Sequence, residues 1–206
     1  MAVLRAAVAG CDLLSQPYLN PSSGARQPLR KDCVAQQRDW PKPLVGSGSK
    51  LLLVFLSRLL VFPHDIDGKV RSLGDPIYTR EVKSQLTKVA DGARRTGARI
   101  AIVTMPCYDP VTAAGPFLDT MRNDVPAGLK ELAHPVHMNS VGREWAHAHG
   151  ASVIDLNSAV CGAGTTPDRP GGRSLYADGV HFSAWGAAVV WKWLAPQAQR
   201  VLEGQS

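Results

Sequence analysis

The sequence lacks a long apolar run. Its longest, residues 51–62, is interrupted by Arg58 and is too short to span a bilayer. It lacks internal repeats, which excludes solenoid, collagen-like and coiled-coil architectures. It also lacks any block of five or more like charges, zinc-finger spacing or RNA-binding signature. The 23 Lys and Arg outweigh the 17 Asp and Glu. Yet Arg26, Arg30, Lys31, Arg38, Lys42, Lys83, Lys88, Arg94, Arg95 and Arg99 are scattered, and read as a solvated basic surface with no nucleic acid as partner. Cysteine is sparse: Cys11, Cys33, Cys107 and Cys161, no two at the close spacing of a zinc or thioredoxin-type motif. On count alone, two disulfides of an oxidising compartment and four buried thiols of a cytosolic protein are equally good readings. No export signal is expected within these 206 residues. Val8-Ala9-Gly10-Cys11 has the form of a lipoprotein cleavage site, but only Ala6, Ala7 and Val8 separate Arg5 from it, too few for a signal's apolar core.

What is present is 206 residues, 45% of them hydrophobic, enough for one globular domain with a real core. Residues 1–11 form a short apolar stretch ending in Gly-Cys, the pattern of a strand entering a turn. Residues 15–50 hold Pro17, Pro21, Pro28, Pro41 and Pro43, and read as a long loop with at most one short helix. Residues 51–56 read as a fully buried strand of a parallel sheet, followed by a polar loop with His64, Asp65, Asp67 and Gly68. A helix is expected over 78–96, with Val82, Leu86, Val89 and Ala93 on one face and Gly97 as its stop. A strand over 99–105, a helix over 138–149 and a strand over 152–156 follow. A last helix over 183–202 is expected to have Ser183 as its cap and a bend near Pro196. Alternating short apolar strands and helices imply a three-layer α/β fold on a parallel sheet, with chemistry in the loops at the strands' carboxyl ends.

The sharpest chemical feature is Asp178-Gly179-Val180-His181-Phe182-Ser183, immediately before the last helix. A carboxylate three residues ahead of a histidine on a tight turn can hold Nδ1, fix the tautomer and stabilise the imidazolium formed when Nε2 takes a proton. That is the base half of a nucleophilic triad. The other histidines point elsewhere. His147 and His149 stand two apart on a helix and diverge, and His134 and His137 read as solvated loop residues, so no metal site is expected. Trp185 and Trp193 read as core.

The block from Tyr176 to Ala187, Tyr-Ala-Asp-Gly-Val-His-Phe-Ser-Ala-Trp-Gly-Ala, resembles the last motif of the SGNH (GDSL-type) hydrolases. It is most similar to the SGNH domains linked to acyltransferase-3 membrane acyltransferases of actinobacteria. Residues 7–11, 102–107, 138–139, 153–156 and 160–161 match that subgroup in order. The resemblance implies a flavodoxin-like α/β/α fold and a single domain over 1–206 with 15–50 as a loop-rich insertion. It further implies an extracytoplasmic setting and the pairings Cys11–Cys33 and Cys107–Cys161. For the site it implies His181 as base, Asp178 as its orienting carboxylate, and backbone N–H groups of Gly10 and Ser57 as oxyanion donors. The substrate would be an acylated cell-envelope carbohydrate, with a membrane acyltransferase as partner and no cofactor.

Two departures qualify this. No Gly-Asp-Ser occurs anywhere, and Ser47, Ser49, Ser140 and Ser183 make poor substitutes for that nucleophile. The expectation is a chain that starts at the family's second strand, without the first strand and its serine. Where the subgroup carries a Gly-Arg-Trp-Glu type of block, this chain reads Ser57-Arg58-Leu59-Leu60. The reading is an esterase or O-acyltransferase domain inactive as it stands. Its alternative is a non-catalytic module that binds carbohydrate or a partner.

Overall fold

The computed structural model describes residues 11–20, 23–39, 42, 45–108, 135–161 and 170–205. In chain order the elements are β1 (Tyr18–Leu19), β2 (Arg26–Gln27), α1 (Lys31–Asp39), β3 (Leu51–Phe55), a 3-10 turn (Arg58–Val61), β4 (His64–Ile66), β5 (Lys69–Arg71) and α2 (Pro76–Arg95). After these come β6 (Arg99–Val103), α3 (Val136–Ala148), β7 (Ser152–Ile154), α4 (Leu156–Cys161), a 3-10 turn (Pro170–Gly172) and α5 (Ala184–Glu203).

Period-two alternation along β6 builds the layers. Ile100 and Ile102 face one way, into a core with Val82, Leu86 and Ala90 of α2 and Met138, Val141 and Trp145 of α3. Ala101 and Val103 face the other way, against Val160 of α4 and Val190, Leu194 and Val201 of α5. β3 repeats the pattern, with Leu52 and Val54 on the first face and Leu51 and Leu53 on the second. The strands are parallel in the order β3-β6-β7, Leu51 opposite Arg99 and Ala101 opposite Ser152. The α/β three-layer expectation therefore holds.

Several boundaries move for local reasons. α2 starts at Pro76, two residues early, because the Asp75 side chain accepts the Ile77 N–H at 2.7 Å and proline suits a first helical turn. α5 continues through Pro196 to Glu203: proline removes one N–H, while Leu194, Ala198 and Val201 stay buried on either side of it. β7 stops at Ile154, two residues before its expected end, and a short helix follows over Leu156–Cys161. β3 is less buried than its composition suggests. Among the described residues it pairs only with β6, Leu51 to Val54 are half-buried, and Phe55 is 53% exposed.

The polar loop expected around His64 is instead a hairpin. Asp67 and Gly68 both take positive φ (54° and 73°), the two-residue turn that matches strand twist, and β4 and β5 pair on either side. They join a second, antiparallel sheet in the order β2-β1-β4-β5. Its short, polar strands carry too little alternation to be read from sequence. Among the described residues of 15–50 there is one helix, α1. The Cys11–Cys33 disulfide ties it down, as does the Gln37 amide, which donates to the carbonyls of Asp12, Leu13 and Leu14 at 2.8, 3.2 and 3.0 Å. Cys107–Cys161 is also bonded. No helix among the described residues is long and apolar enough to cross a membrane. The strand expected over residues 1–11 lies, but for Cys11, outside the described residues.

Candidate functional site

The Asp178–His181 loop grows from the sequence locally. Gly179 takes φ 78°, which a side chain would resist, and turns the chain back so that Asp178 and His181 meet. The His181 ring donates from Nδ1 to Asp178 Oδ2 at 2.8 Å, while Asp178 Oδ1 accepts the backbone N–H groups of Val180 and His181 at 2.9 and 2.7 Å. Partial burial opposes the Asp178 charge, but the His181 N–H and ring and the Val180 N–H outweigh it, bringing the carboxyl down to about 2. An ionised Asp178 requires the Nδ1 proton, which leaves Nε2 as the basic nitrogen. The side chains stand 79% and 47% exposed, so Nε2 is open to an incoming proton donor.

The loop closes at a neck. Tyr176 and Phe182 bridge in antiparallel fashion, their rings stack at 4.8 Å, and the Ala177 N–H donates to the His181 carbonyl at 2.8 Å. Ser183 then caps α5 by accepting the Gly186 N–H at 3.0 Å, as its position implied. Gly186 is obligatory: a Cβ there would lie 1.8 Å from the Leu175 carbonyl oxygen.

The carboxyl ends of β6 and β7 form a polar network whose contacts the matched segments 138–139 and 153–156 do not reveal. Asn139 grips Met105 twice, accepting its N–H at 2.8 Å and donating to its carbonyl at 2.9 Å, as a neighbouring strand would. Asn157 donates to the same carbonyl at 3.0 Å. Thr104 donates to Asp155 at 3.0 Å, and Asp155 also meets Ser158 and Arg143 at 2.7 and 2.9 Å. The available signal was an asparagine buried at a helix start.

Of the expected oxyanion donors, Gly10 lies outside the described residues. Ser57 sits just past the carboxyl end of β3; its side chain accepts the Leu59 N–H at 3.1 Å, while its own N–H has no acceptor among the described residues. No hydrogen bond among the described residues joins Ser57 to the dyad. The remaining serines are occupied elsewhere: Ser47 bonds Ser49 at 2.8 Å on the surface, and Ser140 bonds Glu144 at 3.1 Å on α3.

His64, read from sequence as a polar loop residue, is 1% exposed on β4. Its Nδ1 donates to the Phe62 carbonyl at 2.9 Å and its Nε2 meets Asp12 Oδ2 at 3.2 Å. Tyr78 of α2 donates to the Leu60 carbonyl at 2.7 Å beside it. Burial pushes the Asp12 carboxyl up against the opposing pull of His64, and burial likewise pushes the Tyr78 phenol up. His137 is exposed in the first turn of α3, and His149 stacks on Trp145 at 4.6 Å. Trp185 and Trp193 are half-buried at the edge of the α5 core, with the Arg173 guanidinium 4.8 Å over the Trp185 ring. Among the described residues one group, Cys11, Asp32 and Cys33, has metal-ligating atoms close together, but its two sulfurs are bonded to each other.

A family model described as "SGNH domain (fused to AT3 domains)" matches residues 1–196. Among solved structures, a GDSL-like lipase from Bacteroides thetaiotaomicron VPI-5482 superposes with a TM-score of 0.52 at 11% identity, covering 82% of this chain and 71% of its own. A candidate acylhydrolase from Bacteroides fragilis NCTC 9343 gives 0.51 at 12% identity, covering 82% and 70%. At such identities these structures establish the fold, that of the GDSL-type hydrolases. No curated protein matches the chain.

Proposed function

The chain belongs to the family of SGNH domains fused to AT3 domains, and from that premise we propose that it serves acyl-ester chemistry on cell-envelope carbohydrate, as an esterase or O-acyltransferase domain working with a membrane acyltransferase. The carrying observation is the Asp178–His181 contact at 2.8 Å with Nε2 open to solvent. In this reading His181 Nε2 takes the proton of a serine hydroxyl as that oxygen attacks the ester carbonyl, and Asp178 holds the ring and stabilises the imidazolium. The Ser57 N–H, which has no acceptor among the described residues, receives the oxyanion together with that of Gly10. Water then releases the acyl group as acid, or a sugar hydroxyl carries it away. Two disulfides support an extracytoplasmic setting.

The sequence has no Gly-Asp-Ser, so this chain supplies base, orienting carboxylate and oxyanion donors but not that nucleophile. The same observation favours a second reading, a non-catalytic module that keeps the fold and binds carbohydrate or a partner. One assay separates them. The chain alone is expected to leave hydrolysis of p-nitrophenyl acetate at background. Joined at its N-terminus to an apolar strand ending in Gly-Asp-Ser, it is expected to gain turnover that His181→Ala abolishes. Turnover by the chain alone that survives His181→Ala would overturn the catalytic reading of the dyad, and no gain on adding the strand would favour the binding module.

A further inference from the structure

The dyad is exposed, so little of the protein body packs over the imidazole and its placement is that of its loop. The two arms of the loop meet at the Ala177–His181 bond and the Tyr176–Phe182 stack, so the pairing at this neck sets how closely Asp178 on one arm approaches His181 on the other. On one side the neck is held by α5, through the Ser183 N–H donating to the Leu175 carbonyl at 2.9 Å. On the other it is held by Tyr176, 3% exposed, whose hydroxyl donates to the Cys107 carbonyl at 2.5 Å.

Cys107 is itself immobilised. It is bonded to Cys161 of α4, its N–H points to the Cys161 sulfur at 2.9 Å, and Met105, two residues earlier, is gripped by Asn139 and Asn157. We infer that Tyr176 is a positioning residue for His181, and that through it the Cys107–Cys161 disulfide fixes the dyad loop against the carboxyl end of β6. The inference rests on reading Asp178–His181 as an acid–base pair. Removing the hydroxyl leaves the Cys107 carbonyl without that donor and frees one side of the neck. A loop displaced by about 1 Å costs on the order of a hundredfold in a reaction that depends on its geometry.

The test is 15N NMR of the histidine rings in the full chain, reading which nitrogen of His181 carries the proton, with Asp178→Asn as the reference for a released ring. The wild-type ring is expected to be protonated at Nδ1. Tyr176→Phe keeps the ring stack and core volume, and is expected to lower the ratio of Nδ1–H to Nε2–H forms by about tenfold, the weight of one buried hydrogen bond. A merely structural tyrosine would lower the melting temperature and leave that ratio unchanged. A folded variant with Cys107 and Cys161 both replaced by Ala is expected to shift the ratio in the same direction. An unchanged ratio in Tyr176→Phe overturns the positioning role while the dyad stands. An unchanged ratio in the double cysteine variant overturns the disulfide's part. A wild-type ring protonated at Nε2 overturns the dyad reading itself.

Discussion

His181 meets Asp178 across three residues at 2.8 Å, and its side chain is 79% exposed; His64 meets Asp12 across 52 residues at 3.2 Å, and its side chain is 1% exposed. The contacts are of one chemical kind, yet their surroundings assign them opposite work. The first pair is made by a turn and stands at the surface, where the proposed function has it exchange a proton with substrate. The second joins the segment after Cys11 to the second sheet. It sits beside a tyrosine bonded to the chain just past β3, enclosed by the core. Burial and sequence separation, not the residue pair, are what set the proposed acid–base histidine apart from the enclosed one.

The comparison breaks most severely at the buried pair. His64→Leu leaves the Asp12 carboxyl buried without its partner, and stability measured by urea unfolding is expected to fall by about 3–5 kcal/mol. Replacing Asp12 by Leu as well is expected to recover part of that loss, since no polar group is then stranded. A single variant within about 1 kcal/mol of wild type would remove His64 from the architecture.

Next comes the exposed pair's support. Ala is the better helix former by about 1 kcal/mol, so Gly186→Ala would stabilise α5 were it free. The Leu175 carbonyl, 1.8 Å from the new Cβ, forbids this. Net destabilisation of at least about 1–3 kcal/mol is expected, together with altered His181 ring signals as the neck is forced apart. A stabilised Gly186→Ala protein would show that α5 and the Leu175 segment are not closely docked.

Legibility follows the same division. The dyad, the Ser183 cap, α2 and the β6 strand were readable because each is encoded within a few consecutive residues by turn chemistry, capping or periodicity. The parallel sheet was readable because aliphatic runs alternate with helices. What was hidden is non-local: the second sheet, whose strands are two or three residues long, the Asp12–His64 contact, and the asparagine clasp of Asn139 on Met105 across 34 residues. The half-burial of Leu51–Val54 was hidden too, because an all-aliphatic run reads as fully buried.

The smallest expected effect distinguishes the two aspartates by the sign of their pH dependence. An unfolded Asp titrates near 3.9, and Asp178 is held at about 2 in the folded protein. Between those values the unfolded chain binds a proton that the folded one refuses. The stability contributed by Asp178 is therefore present above about pH 4 and is lost as pH falls toward 2. Asp12 is shifted the other way by burial. Its contribution is full below about pH 3.9 and is lost as pH rises through its folded value, because the folded protein then keeps a proton that the unfolded chain releases. Urea unfolding at a series of pH values from about 2 to 7 should show Asp178→Asn flattening the acid limb, an effect kept small by solvent screening of the exposed pair. Asp12→Asn should instead flatten the profile on the side above about pH 4. If both variants moved the profile in the same direction, the two pairs would share one electrostatic environment, and the division between reactive and architectural histidine would lose its physical basis.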